Sequence, residues 1–216
     1  MIATTEAAVT KIRAGAVTLE GALEIPARAK GVVVFSHGSG SGRHSPRNQF
    51  VAAELRGAGL GTLLLDLLTV EEDRHYEARF DISLLTERLG HAVSFVQRET
   101  AARSLPVGLF GASTGAASAL RVAAAMPEAV RAVVSRGGRP DLAGKNILSA
   151  VKAPTLLIVG AEDHGVIELN RAARDELSRC VRELVLVPGA THLFEEPGTL
   201  DEVARLAADW FERHLK

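Results

Sequence analysis

Residues 105–120, LPVGLFGASTGAASAL, decide how the rest of the chain is read. An apolar run of strand character meets an Ala-rich run of helix character at Gly111-Ala112-Ser113-Thr114-Gly115, a G-x-S-x-G pattern. On a tight strand-to-helix turn of this kind the serine hydroxyl is pushed out over the sheet edge, where it can act as a nucleophile. Strand and helix backbones nearly touch there, so small residues are needed two before and two after the serine, and Gly111 and Gly115 meet that need. The new helix also points its free amides at the reacting centre and favours negative charge. With 20 glycines in the chain a chance match is easy, so the weight rests on the strand before and the helix after. The plainer reading is a serine N-cap on a closely packed helix.

Outward from this turn, short apolar runs alternate with longer amphipathic segments. The runs at 31–38 (GVVVFSHG), 61–68, 105–113, 130–138, 153–163 and 182–190 each close on a turn-forming residue, as expected for strands buried on both faces. Between them, 81–100 places Ile82, Leu85, Leu89, Val93 and Val96 at helical spacing. Residues 114–126 form a second helix ended by Pro127, and 200–215 a terminal amphipathic one. The alternation predicts an α/β fold with a mostly parallel central sheet and helices on both faces. Residues 8–25, broken at Gly15 and Gly21, predict an antiparallel hairpin at the sheet edge. No linker or repeat divides the chain, so 1–216 is expected to be a single domain. Residues 137–152 supply only a loop and a short helix, which leaves no room for a large cap.

Enzymes that use such a turn carry their acid and then their base after the serine in chain order. Asp163 closes the run APTLLIVGAED and would emerge at the carboxyl edge of the sheet, where open α/β sheets build their sites. Its alternative role is to cap a helix starting near Val166, and its neighbour Glu162 should point the other way. His192, in VPGATHLFEEPG, sits on a loop that can reach both a serine hydroxyl and an acid. His164 comes too early for the base and should face solvent, while His214 is expected to be stabilised by the dipole of the last helix. One oxyanion donor should be the amide of Thr114; the other comes from the turn His37-Gly38-Ser39-Gly40-Ser41-Gly42, with Ser39 preferred and Gly40 next. That Gly-rich turn lacks the Gly-Lys-Ser/Thr ending of a nucleotide-binding loop.

Charge narrows the choice of partner. Lys plus Arg number 25 against 26 Asp plus Glu, giving a net charge of −1, so there is no global field to attract nucleic acid or an anionic membrane. Local clusters remain: Arg43 and Arg47 after the Gly-rich turn, and Arg136 and Arg139 after the run VRAVVSRGG. Guanidinium pairs suit bidentate capture of a carboxylate or phosphate, which would make the substrate a small anionic molecule. The plainer reading, which we favour at this level, pairs them with Asp66, Asp81, Glu71 or Asp141. The lone cysteine, Cys180, excludes an intramolecular disulfide. MIATTEAAVT lacks the pattern of a secretory signal, and no apolar run reaches the ~18 residues of a membrane span, so a cytoplasmic location is expected.

In combination, the strand ending in HGSGSG, the GASTG turn, the strand ending in GAED and the loop GATHLFEE resemble the α/β-hydrolase superfamily. Within it, stretches such as FSHGSGSGRHSPRNQFVA and VVSRGGRPDLAG are similar to small dienelactone-hydrolase-like proteins, a group sometimes fused to phosphoribosyltransferase domains. The resemblance runs from about Lys30 to Phe211 and implies Ser113, Asp163 and His192 as a triad, with no metal and no organic cofactor. One departure matters: dienelactone hydrolases proper use a cysteine nucleophile, whereas position 113 is serine, and Cys180, expected on a late helix, cannot replace it. The expectation is a serine hydrolase acting on a small ester or thioester through an acyl-enzyme. The alternatives are an acyltransferase using the same intermediate and a non-catalytic binding protein that keeps the fold. Oligomeric state is not legible.

Overall fold

The computed structural model describes residues 9–99 and 101–216. Its eight strands are β1 (Val9–Ala14), β2 (Val17–Glu24), β3 (Val32–Ser36), β4 (Gly61–Leu65), β5 (Val107–Ala112), β6 (Val130–Arg136), β7 (Thr155–Gly160) and β8 (Arg182–Val187). They form one sheet in the order β1-β2-β4-β3-β5-β6-β7-β8, parallel from β4 onward. β1 and β2 pair antiparallel with each other, and β2 antiparallel with β4. The expected hairpin is present, although Ala8 lies outside the described residues. Gly21 does not break it: that residue lies within β2, pressed against Leu63.

Among the described residues seven α-helices surround the sheet: α1 (Pro46–Gly57), α2 (Val70–Asp73), α3 (Ile82–Arg98), α4 (Thr114–Ala125), α5 (Lys145–Leu148), α6 (His164–Glu176) and α7 (Thr199–His214). Strand residues alternate between two apolar layers. On one face Val51 and Leu55 of α1 and Val203, Trp210 and Phe211 of α7 pack on Phe35, Phe110 and Val134. On the other, Leu85, Leu89 and Val93 of α3 and Leu120 of α4 pack on Val34, Leu109 and Val133. Each fully buried side chain of this size contributes about 1.5–3 kcal/mol, so both layers contribute to holding the sheet that carries the loops.

Sequence reading foresaw six parallel-type strands buried on both faces; five are, whereas β8, at the sheet edge, is fully buried only at Val187. It did not foresee α1, whose apolar face is narrow (Val51, Ala52 and Leu55) and whose start is set by chemistry at its end. The Ser45 side chain accepts from the Asn48 amide, and Pro46 occupies the first turn. Cys180 is not helical. It lies in the turn after α6, beside Val181, whose carbonyl accepts from Thr155 at the start of β7, at the sheet edge opposite Ser113. Residues 137–152 hold a 3₁₀ turn (Pro140–Ala143) and the short α5, and no cap covers the carboxyl edge among the described residues.

Candidate active site

Ser113 joins β5 to α4 with φ 51° and ψ −122°, a conformation L-residues avoid and which only over-determined surroundings maintain. Those surroundings are visible. The Ser113 amide donates to Arg136 O at 3.2 Å, and its carbonyl accepts from Arg139 N at 3.0 Å. A Cβ on Gly111 would lie 2.5 Å from Ala116 Cα, and one on Gly115 would lie 2.1 Å from Ser36 O. The first glycine therefore lets β5 meet its own helix, and the second lets α4 meet the end of β3. The Ser113 side chain makes no capping bond to its helix, which leaves the N-cap reading without support.

Asp163 follows β7 at the start of α6, and it too makes no side-chain cap. Its Oδ2 instead accepts from His192 Nδ1 at 2.7 Å. A carboxylate can only accept, so the imidazole proton sits on Nδ1 and the Nε2 lone pair is left free. Asp163 is shielded (15% exposed) while His192 is open (38%), an arrangement in which the acid orients and the base remains reachable. The two loops are packed as one: a Cβ on Gly160 would lie 2.3 Å from Ala190 O, and Glu162 N donates to that same carbonyl at 3.0 Å. His192 Cε1 would lie 3.6 Å from a Cβ on Gly137, immediately after the strand residue bonded to Ser113. These contacts set the His192 loop against the turn that follows Arg136, whose carbonyl holds the Ser113 amide. Asp163 and His192 are hydrogen-bonded, whereas no bond joins Ser113 Oγ to His192 among the described residues; such bonds are commonly long before substrate tightens them. His164 is exposed beside Glu162.

The Gly-rich loop is held from below by His37, which sequence reading passed over. Its Nδ1 donates to Gly38 O at 2.9 Å and its Nε2 accepts from Leu67 N at 3.0 Å. Both bonds need the neutral ring, and burial pushes its pKa down, against the opposing effects of the Gly38 carbonyl and of Asp66 and Asp73. Ser39 lies beside the nucleophile, but its amide donates to Thr114 Oγ1 at 3.0 Å. The expected second donor is therefore held by a hydroxyl that still has its own proton to give. Thr114 N, as the first helical amide, has no intrahelical acceptor. A cleft of about 570 Å³ borders the Gly-rich loop, lined by His37, Ser39, Arg47, Leu68 and Val70 among others; Ser113, Thr114 and His192 do not line it.

A second residue was missed. The carboxylate of Glu196 accepts from Thr191 Oγ1 at 2.5 Å and from Thr191 N at 3.2 Å, pinning the residue before His192. The same loop turns at Phe194, buried with φ 57°. The signal for Glu196 in the sequence was a Thr and a Glu five apart flanking the candidate His192, a pattern too common to weigh alone.

The four arginines separate. Arg43 pairs with Asp66 and, at 2.7 Å, with Glu20. Arg139 pairs with Asp141 at 2.8 Å, and Arg47 with the exposed Glu195 at 2.8 Å. Arg136 pairs with no carboxylate among the described residues; burial, together with the like charge of Arg47, pushes its pKa down to about 10. Asp81 caps α3 and Glu71 pairs with Arg74, so neither serves these arginines. His214 also departs from expectation. It stacks on Trp210, and burial and Arg213 lower its pKa where the helix dipole was expected to raise it.

Residues 19–216 match the model of the dienelactone hydrolase family. The chain belongs to that family. A dienelactone hydrolase of Anabaena variabilis is 52% identical, with a TM-score of 0.93 over 97% of this chain and 98% of that one. An esterase of Pyrococcus furiosus shares the fold at 17% identity, with a TM-score of 0.80 over 98% of this chain and 92% of that one. Two proteins from strains of Mycobacterium tuberculosis, provisionally named phosphoribosyl transferases, are each 57% identical over 207 residues. The chain spans 46% of their length and 95% of its own. No helix of the described residues is long and apolar enough to cross a membrane.

Proposed function

We propose that this family member is a serine hydrolase of small esters or thioesters. The reading is carried by the Asp163–His192 hydrogen bond, which leaves the second ring nitrogen of His192 unbonded, together with a serine held on a strained turn. Ser113 Oγ attacks the acyl carbon and its proton passes to His192 Nε2, while the carbonyl π electrons move onto oxygen. That oxyanion is met by the Thr114 amide and by the Ser39–Thr114 pair, whose hydroxyl can turn its proton inward. Collapse expels the alcohol or thiol, which takes the proton from His192 and leaves an acyl-Ser113 ester. Water, deprotonated by His192, then repeats the attack and releases the acid. Asp163 stays ionised throughout and steadies the imidazolium.

The open, capless edge gives water ready access, which favours hydrolysis over transfer to another acceptor. One continuous sheet supports reading the described residues as a single domain. The transferase name belongs to proteins about twice as long, and it says nothing of the chemistry at Ser113. p-Nitrophenyl acetate tests the proposal. Wild type should release p-nitrophenol with a burst, and Ser113→Ala and His192→Ala should each lose about 10³-fold or more in kcat. Equal rates in wild type and Ser113→Ala would refute it.

A further inference from the structure

Residues 136–139, the end of β6 and the turn after it, are where the nucleophile turn and the His192 loop meet. Arg136 O accepts from the Ser113 amide at 3.2 Å, and Arg139 N donates to the Ser113 carbonyl at 3.0 Å. Gly137, at φ 49°, donates to Ile158 O of β7 at 2.8 Å, and a Cβ there would lie 3.0 Å from His192 O. A Cβ on Gly138 would lie 2.6 Å from Ala116 Cβ, so this residue is pressed against the first turn of α4. Ser113 keeps its strained φ of 51° only as firmly as this segment is held.

A side chain of α6 holds the segment from outside. Asn170 Nδ2 donates to Gly138 O at 3.0 Å and to Val166 O, one turn back in its own helix, at 2.8 Å. Both partners are carbonyls, which only accept, so the orientation of the amide is fixed. Its Oδ1 is then left buried, with no partner among the described residues. Asn170 is fully buried, and the other buried side chains of α6, Ile167 and Ala173, are apolar.

An apolar residue of similar size would fill the position and bury no unpaired side-chain oxygen, a cost that the asparagine carries. What it could not do is bond Gly138 O. Asp163 sits at the start of the same helix, two turns earlier and about 10 Å along the axis. The Asn170 amide therefore ties the helix that carries the acid to the segment that clamps the nucleophile.

We propose that Asn170 is a positioning residue of the Ser113 site: by fixing Gly138 it sets the spacing between Ser113 and the Asp163–His192 pair. This rests on the hydrolase reading and adds to it how the strained turn is kept in register with the base. Asn170 touches neither substrate nor reacting atoms, so its loss should slow attack and leave binding alone. A shift of about 1 Å at the nucleophile is enough to cost on the order of 10²-fold in rate.

The experiment compares wild type with Asn170→Ala, Asn170→Asp and a control of stability alone, Val96→Ala, which thins the core near the C-terminal end of α3. All are assayed with p-nitrophenyl acetate where circular dichroism shows each of them folded. In Asn170→Ala kcat should fall about 10- to 100-fold with KM within about threefold, and fluorophosphonate labelling of Ser113 should slow by the same factor. Val96→Ala should lower Tm and leave both rates unchanged. Asn170→Asp gives a pH signature. Burial raises the pKa of the introduced carboxyl, whose protonated form can still donate to Gly138 O and whose ionised form repels it. The ratio of its kcat to that of wild type should therefore be highest near about pH 5 and fall as pH rises toward about 9. An Asn170→Ala variant that loses Tm but keeps both rates within about twofold, or an Asn170→Asp ratio flat with pH, overturns the proposal and leaves the hydrolase reading intact. A wild type that neither turns over the ester nor takes the label overturns both.

Discussion

The loops on either side of Ser113 are both held in place by side chains, but by different physics. The loop after β3, which carries Ser39, is tied by His37, a neutral ring 7% exposed whose two nitrogens are spent on backbone groups. The loop after β8, which carries His192, is tied by two carboxylates, shielded Asp163 and half-buried Glu196. A buried neutral anchor couples its loop to the stability of the whole fold. A carboxylate that water still reaches steadies a loop locally, at little global cost, because water and salt compete for it. The oxyanion side should therefore fail together with the fold, and the base side should fail in activity alone.

The largest expected effect is on the base side. Asp163→Asn keeps the size of the acid but lets the ring choose the other tautomer, and kcat should fall by about 10³- to 10⁴-fold. Circular dichroism should show Tm almost unchanged; a large loss of stability would break the contrast.

On the other side, His37→Leu should cost on the order of 2–3 kcal/mol in denaturant unfolding, since it strands the Leu67 amide in the interior. The same residue sets a pH dependence. Its folded pKa lies below the ordinary 6.5, so its contribution is fully present above about pH 6.5 and is lost as pH falls toward the lowered folded value. Tm measured from pH 7.5 down to 5 should decline in wild type, and less steeply in His37→Leu. Identical slopes would remove His37 as the titrating anchor.

Glu196→Gln should be milder, about 3- to 10-fold in kcat with KM little changed, because Thr191 keeps one acceptor. Salt should weaken wild type toward the variant. The smallest effect belongs to Arg139→Ala, whose partly exposed pair with Asp141 should be worth about 0.5 kcal/mol or less and should not alter ester selectivity.

What the residues alone could tell follows from the same physics. Strands buried on both faces announce themselves as apolar runs, and the candidate nucleophile, acid and base follow from their order at the ends of β5, β7 and β8. Helix α1 was hidden because its buried face includes a polar residue, Asn48, and only three apolar ones. The role of His37 was hidden because a buried neutral ring and a solvated one have the same letter. Among the arginines, pairing with Asp66 and Asp141 could be weighed from proximity in the chain and at the sheet edge. The isolation of Arg136 could not, since it depends on how deeply α1 and Phe194 cover the end of β6. The bond from Ser39 to Thr114 Oγ1 was likewise beyond reach, because it turns on one rotamer.

The central claim is that Ser113 is an activated nucleophile, and covalent labelling tests it most directly. Wild type treated with a fluorophosphonate should gain one phosphonyl adduct by intact mass, localised by peptide mapping to residues 107–121. Labelling should be abolished in Ser113→Ala and slowed at least about 10²-fold in His192→Ala. A wild type that stays unlabelled, or an adduct that persists in Ser113→Ala, would contradict the account.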